Sequence, residues 1–145
     1  KGRDSDGDLR IGQTASRQGL IMADSMCTLV LGDRHKSEIK KLISVLDKYF
    51  SLVLTTLNVT GDEMLYLSPA PSLVVFTDTL YCATEAPARI RNHLPKAGFV
   101  ALFDHVEPET ETALRCAGTL FLGSYETFYT FSQAVVAPLL SGRCR

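Results

Sequence analysis

The sequence has little of what marks nucleic-acid-binding, membrane or secreted proteins. Among 145 residues, 15 lysines and arginines nearly balance 16 aspartates and glutamates, which leaves a net charge of −1. That balance gives no electrostatic reason to bind nucleic acid or an anionic membrane surface. No apolar run approaches the ~20 residues of a membrane span, and residues 1–21 lack the apolar centre of a signal peptide. These absences predict a cytoplasmic protein that contacts neither nucleic acid nor a membrane.

The cysteines offer no metal-binding or disulfide pattern. Four are present, and neither a CxxC pair nor a histidine at metal-ligand spacing accompanies them. They are Cys27, Cys82, Cys116 and Cys144. We interpret them as reduced thiols that mostly fill the core.

The first 21 residues differ from the rest of the chain. They are rich in charge and glycine at the start and show no clear hydrophobic period. We interpret residues 1–21 as a vector-derived tag or a linker. Residues 22–145 then make one domain, which is long enough to bury a core.

The most informative stretch is Ser72–Asp78, where apolar residues follow one another without interruption. A continuous apolar run is typical of a strand that is buried on both faces, in the middle of a parallel sheet. Thr77 and Asp78 then stand at the carboxyl end of that strand. In open α/β sheets, ligands and chemistry are found at this edge.

Apolar runs alternate with helical patterns from Cys27 to Leu140. Strands are expected at 28–31, 51–57, 72–77, 99–103 and 119–122, and helices at 35–50, 60–66, 85–94, 107–118 and 126–140. Parallel strands need crossovers, and each crossover here is one helix long. The sequence therefore predicts an α/β fold. It is a doubly wound, five-stranded parallel sheet in the flavodoxin-like order 2-1-3-4-5, with helices on both faces.

The last helix carries more aromatic residues than one buried stripe can hold. Phe128, Phe131, Val135 and Leu139 are assigned to the face that packs on the sheet. This assignment leaves Tyr125 and Tyr129 on a neighbouring face, and Tyr129 is expected to be at least partly exposed. Pro138 is expected to kink the helix or end it early.

With these strands placed, the chain resembles the receiver domain of two-component response regulators from Cys27 to about Leu140. The best local match is Ala70–Thr77, which is similar to the Pro-Asp-strand-Asp run of that family. Arg89-Ile90-Arg91 is similar to the third helix of receivers. Ala117–Leu122 is similar to the entry into their fifth strand, where Phe121 aligns with the switch aromatic.

The resemblance implies a phosphorylation site that this chain has largely lost. Receivers hold Mg²⁺ with two acids after the first strand, and an Asp after the third accepts the phosphoryl group. A Thr or Ser after the fourth strand and a Lys after the fifth contact that group. The aligned residues are Gly32 with Asp33, then Thr77, Asp104 and Ser124. Only Asp33 is kept, so we expect no enzyme activity, no catalytic residue and no cofactor.

Two alternatives remain open. Asp78, one residue after the nucleophile position, could accept the phosphoryl group in a shifted register with Mg²⁺. Asp33 and Asp78 would then be the candidates for a weak metal site. The other alternative is a flavodoxin-like domain that binds a small molecule, although a single glycine after the first strand makes no phosphate loop.

The preferred interpretation is a pseudo-receiver, which signals through protein–protein contact without its own aspartyl phosphorylation. Its expected partner is another protein or a second copy of the chain. The expected contact surface lies on the fourth and fifth predicted helices and includes Tyr125 and Tyr129, because tyrosine is enriched at interfaces.

Overall fold

The computed structural model describes residues 9–11, 26–57, 70–79 and 84–140. The strands are β1 (Leu9–Ile11), β2 (Cys27–Leu31), β3 (Leu52–Thr56), β4 (Leu73–Thr77), β5 (Gly98–Leu102) and β6 (Thr119–Gly123). The helices are α1 (Ser37–Leu46), α2 (Ala86–His93), α3 (Pro108–Cys116) and α4 (Tyr125–Leu140). The predicted helix at 60–66 lies outside the described residues, as do Cys82 and Cys144. In the described part of the chain, no helix is long and apolar enough to cross a membrane.

The sheet confirms the predicted topology. Five parallel strands lie in the order β3-β2-β4-β5-β6, which is the order 2-1-3-4-5 when strands are counted from Cys27. All five residues of β4 are buried, because β4 pairs with β2 on one side and β5 on the other. The continuous apolar run therefore predicted the central position of this strand correctly.

The structure adds a sixth strand, which the sequence did not predict. β1 pairs antiparallel with β3, with Leu9 opposite Thr56 and Ile11 opposite Leu54. Three residues are too few to show a period, and their pairing partner lies more than forty residues away in the chain. Part of the segment interpreted as a tag or linker is thus an edge strand of the sheet, and its origin stays a prediction.

Each face of the sheet carries one apolar core. α1 and α4 cover the face that includes Val30, Val75, Val100 and Leu102. α2 and α3 cover the opposite face, which includes Leu29, Leu31, Val74, Phe76 and Phe99. Neighbouring strand residues alternate between the two cores because successive side chains point to opposite faces. As a result, α3 and α4 flank the edge strand β6 on opposite sides.

The predicted stripe of α4 is wrong in part, because Phe128 and Leu139 are buried as predicted but Phe131 is exposed and Val135 only partly buried. The helix buries Tyr125, Phe128, Ser132, Val136 and Leu139. The polar Ser132 hid this stripe in the sequence, but its hydroxyl lies 3.0 Å from the Tyr49 hydroxyl and is hydrogen-bonded there. A buried hydroxyl with a partner costs little.

The predicted effect of Pro138 on α4 is also wrong. The helix continues through Pro138 to Leu140, and its non-helical residue is Phe131 (φ −107°, ψ 16°). Phe131 is 54% exposed and not buried as predicted.

Candidate functional site at the carboxyl edge of the sheet

The strand register places the predicted site positions along one edge. Leu31 lies opposite Phe76, Thr77 opposite Leu102, and Leu102 opposite Gly123. The residues that follow these strand ends therefore share the carboxyl edge of the sheet. They are Gly32 and Asp33 after β2, Asp78 after β4, Asp104 after β5 and Ser124 after β6.

Thr77, at the position of the receiver nucleophile, is 1% exposed. Its hydroxyl donates to the carbonyl oxygen of Leu31 at 2.9 Å. Thr77 Oγ1 also lies 2.8 Å from the hydroxyl oxygen of Thr79, and it accepts from the Thr79 N–H at 3.4 Å. Each of these bonds fixes the threonine oxygen in place, and none of them involves a base. A buried hydroxyl without a base is a poor nucleophile.

The two threonines also fill the space beside Gly32. A Cβ atom built on Gly32 would lie 2.6 Å from Thr77 Oγ1 and 2.9 Å from Thr79 Oγ1. Both distances are too short for real Cβ contacts, so any side chain here would displace a hydroxyl. Thr79 has therefore taken part of the volume that an acid at position 32 would need. Thr79 is a site residue that the sequence pattern did not predict, and its i+2 spacing from Thr77 is the one local signal for its position.

Asp33 folds back onto its own turn. Its carboxylate oxygen Oδ1 accepts from the His35 N–H at 2.9 Å, and its carbonyl oxygen accepts from the Lys36 N–H at 3.0 Å. Its own N–H donates to Thr79 Oγ1 at 3.1 Å. This is an Asx-type turn, in which the carboxylate replaces a backbone acceptor.

Asp78 joins three segments of the edge. The chain turns directly after Thr77, so Asp78 is part of a turn and not of the strand. Its Oδ2 accepts from the Asp104 N–H at 3.2 Å, and its Oδ1 accepts from the Tyr125 hydroxyl at 2.9 Å. Burial is the main cause that raises the pKa of Tyr125 well above its usual value, and the hydrogen bond to Asp78 is the next largest cause.

The cavity at this edge is small. It has a volume of about 70 Å³ and lies between the ends of β2 and β3, beside Gly32 and Asp33. Ligand pockets usually have about 300–1,000 Å³. A cavity of about 560 Å³ lies at the opposite, amino edge, where Pro71, Leu94 and Lys96 are among its lining residues. The cavity beside Gly32 and Asp33 is therefore smaller than a usual ligand pocket.

Comparison with known proteins places the fold but no family. No family model matches the chain, and neither does any curated protein. HP1043, an orphan response regulator of H. pylori, is 18% identical with a TM-score of 0.57, over 77% of this chain and 97% of that one. The N-terminal domain of a response regulator/sensory box/GGDEF 3-domain protein from Carboxydothermus hydrogenoformans is 18% identical with a TM-score of 0.59. That match covers 81% of this chain and 94% of that one.

A third match is the response regulator DrrB from Thermotoga maritima. It is 21% identical with a TM-score of 0.59, over 79% of this chain and 54% of that one. The chain has a receiver-like fold. The identities are low, so this likeness concerns the fold alone.

The receiver-like fold implies Mg²⁺, and the residues present do not fit it. Gly32 supplies no carboxylate, and Asp33 uses one carboxylate oxygen for its own turn. Asp78 uses both of its oxygens on other donors. Across the described ranges, no three His, Cys, Asp or Glu side chains form a group that could hold a metal ion. Hard cations take six or more oxygen ligands.

Ser124, at the position of the receiver lysine, caps α4. Its hydroxyl oxygen accepts from the Thr127 N–H at 3.2 Å and donates to Thr127 Oγ1 at 2.9 Å. Serine before the first turn of a helix is a preferred N-cap. This N-cap preference of serine is a local signal that the sequence contains.

The aromatic residues of α4 and β6 divide into buried and exposed ones. Tyr125 is 5% exposed, so the expectation that it lies at the surface is wrong. Tyr129 is partly exposed, as predicted, and its hydroxyl donates to Glu38 Oε2 at 2.8 Å. Phe121 is partly buried, with its ring centroid 5.9 Å from that of Phe128. A switching role for Phe121 stays a prediction.

Proposed function

We propose that this domain is a pseudo-receiver, which acts through protein contacts and takes no phosphoryl group on its own aspartate. One observation carries the proposal: Thr77 occupies the nucleophile position with its hydroxyl buried and bonded to Leu31 O and Thr79. Phosphoryl transfer needs a positioned nucleophile with metal and cationic charge compensation. Gly32 and Ser124 supply neither the acid nor the cation.

Asp78 is the residue through which the alternative function would work. Its side chain is at the surface, but both carboxylate oxygens already accept hydrogen bonds. An acyl phosphate there would have to break the bond from Tyr125 or the bond from Asp104. This cost, together with the missing metal ligands, favours the unphosphorylated interpretation.

Incubation with acetyl phosphate and Mg²⁺, followed by intact-mass measurement, tests the proposal. The wild type should keep its mass, and so should Asp78→Asn and Asp33→Asn. A mass gain of one phosphoryl group that is lost in Asp78→Asn alone would replace the pseudo-receiver by the shifted-register receiver.

We propose further that the contact surface lies around β6, between α3 and α4. We call it the β6-edge surface and define it by Leu120 and Phe131. Tyr129, whose hydroxyl binds Glu38 of α1, stays a separate candidate contact. Leu120 and Phe131 are 55% and 54% exposed, and β6 has a partner strand on one side only among the described residues. Exposed large apolar residues and unpaired strand edges favour association. A partner protein or a second copy of the chain would bind here.

Sedimentation over a range of concentrations tests the homodimer. Self-association through the β6-edge surface should weaken in Phe131→Ser and in Leu120→Ser but not in Leu57→Ser, which removes a similarly exposed apolar residue (48%) just after β3. Tyr129→Ala tests the separate Tyr129 contact in the same way. A monomeric wild type would remove the homodimer and leave the partner protein. Equal weakening in all three serine variants would remove the β6-edge surface as the contact.

A further inference from the structure

Asp78 connects the loop after β5 to α4 through the two oxygens of its side chain. The loop contributes the N–H of Asp104, at the point where the chain leaves the sheet. The helix contributes the Tyr125 hydroxyl from its first residue. A carboxylate can accept both bonds at once, because it has two oxygens and no donor.

The Tyr125 hydroxyl depends on this carboxylate. Tyr125 packs in the same core as Phe128 and Val136, and its side chain is almost fully buried. A buried hydroxyl without a partner loses the solvation it had in water. The position of the first turn of α4 that keeps this bond is therefore favoured over positions that break it.

Two other side-chain contacts of α4 lead to α1 and the turn after it, and not to the loop after β5. The Tyr129 hydroxyl binds Glu38, and Ser132 pairs with Tyr49 just after the α1 helix. These bonds hold the helix on the α1 side, one before and one just after the break at Phe131. Asp78 links the turn after β4 and the loop after β5 to the part of α4 that precedes the exposed Phe131.

We propose that Asp78 is a positioning residue, which couples the loop after β5 to the first turn of α4 and so fixes the α4 part of the β6-edge surface. The inference deepens the proposed function and rests on it for the role of that surface. A permanent carboxylate holds the two segments together, and the arrangement needs no modification of the domain. The surface is then presented in one state.

Amide hydrogen exchange followed by NMR tests the coupling in three variants. In Asp78→Asn, the amide group keeps only one acceptor oxygen and turns a donor toward one of its two partners. Exchange should become about tenfold faster both at the Asp104 amide and in residues 125–130, with no change in β2 and β4. Tyr125→Phe should accelerate exchange in residues 125–130 and also perturb Asp104, although it touches only one side of the bridge.

Tyr129→Phe is the matched control, since it removes one hydroxyl from the next turn of the same helix. It should change exchange near Glu38 and leave Asp104 unaffected. An Asp104 amide that does not respond to Tyr125→Phe overturns the coupling, and so does unchanged exchange in Asp78→Asn. If Asp78→Asn unfolds the domain, Tyr125→Phe decides.

The exchange result is independent of the proposed function. Acetyl phosphate labelling of Asp78 would overturn the pseudo-receiver and leave the exchange coupling measurable. Loss of the coupling in an unlabelled protein would overturn this inference alone.

Discussion

The two edges of the sheet are held together by opposite chemistry. At the amino edge, the guanidinium of Arg91 donates to backbone carbonyl oxygens and lies over the Phe99 ring, with Cζ 3.9 Å from the ring centroid. The acceptors belong to Leu94 (3.1 Å), Pro95 (3.2 Å), Ala97 (2.6 Å) and Ala117 (2.9 Å). One cation thus ties the α2–β5 turn to the α3–β6 turn.

At the carboxyl edge, hydroxyl groups and a carboxylate do the corresponding work. Thr77 and Thr79 join the ends of β2 and β4, and Asp78 joins β4 to Tyr125 and to the loop after β5. The amino edge relies on backbone acceptors that every sequence has. The carboxyl edge relies on the side-chain pairs Thr77–Thr79 and Tyr125–Asp78, together with side-chain bonds to the backbone of Leu31 and Asp104.

The largest effect is expected at the amino edge, from Arg91→Ala. Four carbonyl groups lose a charged donor, and charge-assisted hydrogen bonds are stronger than neutral ones. We expect the free energy of unfolding to fall by about 2–4 kcal/mol, measured by urea denaturation. Arg89→Ala, two residues earlier and exposed, should change it by less than about 0.5 kcal/mol. Equal urea midpoints for the two variants would contradict a stabilising role of Arg91 between the two turns.

Val75→Ala tests the strand that serves both edges. Val75 is fully buried in β4, so its truncation should cost about 1–3 kcal/mol through lost transfer energy and an unfilled space. The control is Val135→Ala in α4, where burial is partial and alanine has the higher helix propensity. A denaturation midpoint as high as that of the wild type would argue against the central position of β4.

Gly32→Ala tests the close packing at the carboxyl edge. The new methyl group would meet Thr77 Oγ1 and Thr79 Oγ1, and overpacking of this kind should cost about 1–3 kcal/mol. In a Thr77→Ala background the same substitution should cost clearly less, which a double-mutant cycle measures. Strictly additive costs would mean that Thr77 does not occupy the space beside Gly32.

The smallest effect at neutral pH concerns groups that ionise at high pH, of which Cys27 and Tyr125 lie at the two edges of the sheet. Burial raises the pKa of Cys27, at the amino edge, from 9.0 to about 12. Burial also raises the pKa of Tyr125, at the carboxyl edge, from 10.0. Burial, and next the hydrogen bond to Glu38, also raises the pKa of Tyr129 in α4. In each case the unfolded chain loses its proton first, so the unfolded state binds fewer protons and stability falls as pH rises.

The contribution of Cys27 is complete below about pH 9 and is lost by about pH 12, while that of Tyr125 begins to fall only near pH 10. Denaturation midpoints of the wild type should therefore decline from pH 9 upward. Cys27→Ala should delay the onset, and Tyr125→Phe should flatten only the part above pH 10. Parallel declines in all three proteins would show that neither group is responsible.

The hydrophobic pattern along the chain predicted the strands and helices whose burial follows from that pattern. The apolar run of β4 and the spacing of Ile39, Leu42 and Leu46 in α1 gave elements that the structure confirms. In α4 the same method selected Phe131 in place of Ser132. Periodicity treats every polar residue as exposed, whereas a distant hydroxyl on Tyr49 makes burial of this serine acceptable.

The amino-acid sequence by itself determined the order of the parallel strands and which residues stand at positions 32, 77, 104 and 124. Both follow from residue identity and from crossover rules that act along the chain. Only the tertiary structure decided what those residues contact. Thr79 beside Gly32 and Tyr125 on Asp78 are both contacts between residues 47 positions apart. Such contacts form when separate strand ends meet at one edge, and no local pattern encodes that meeting.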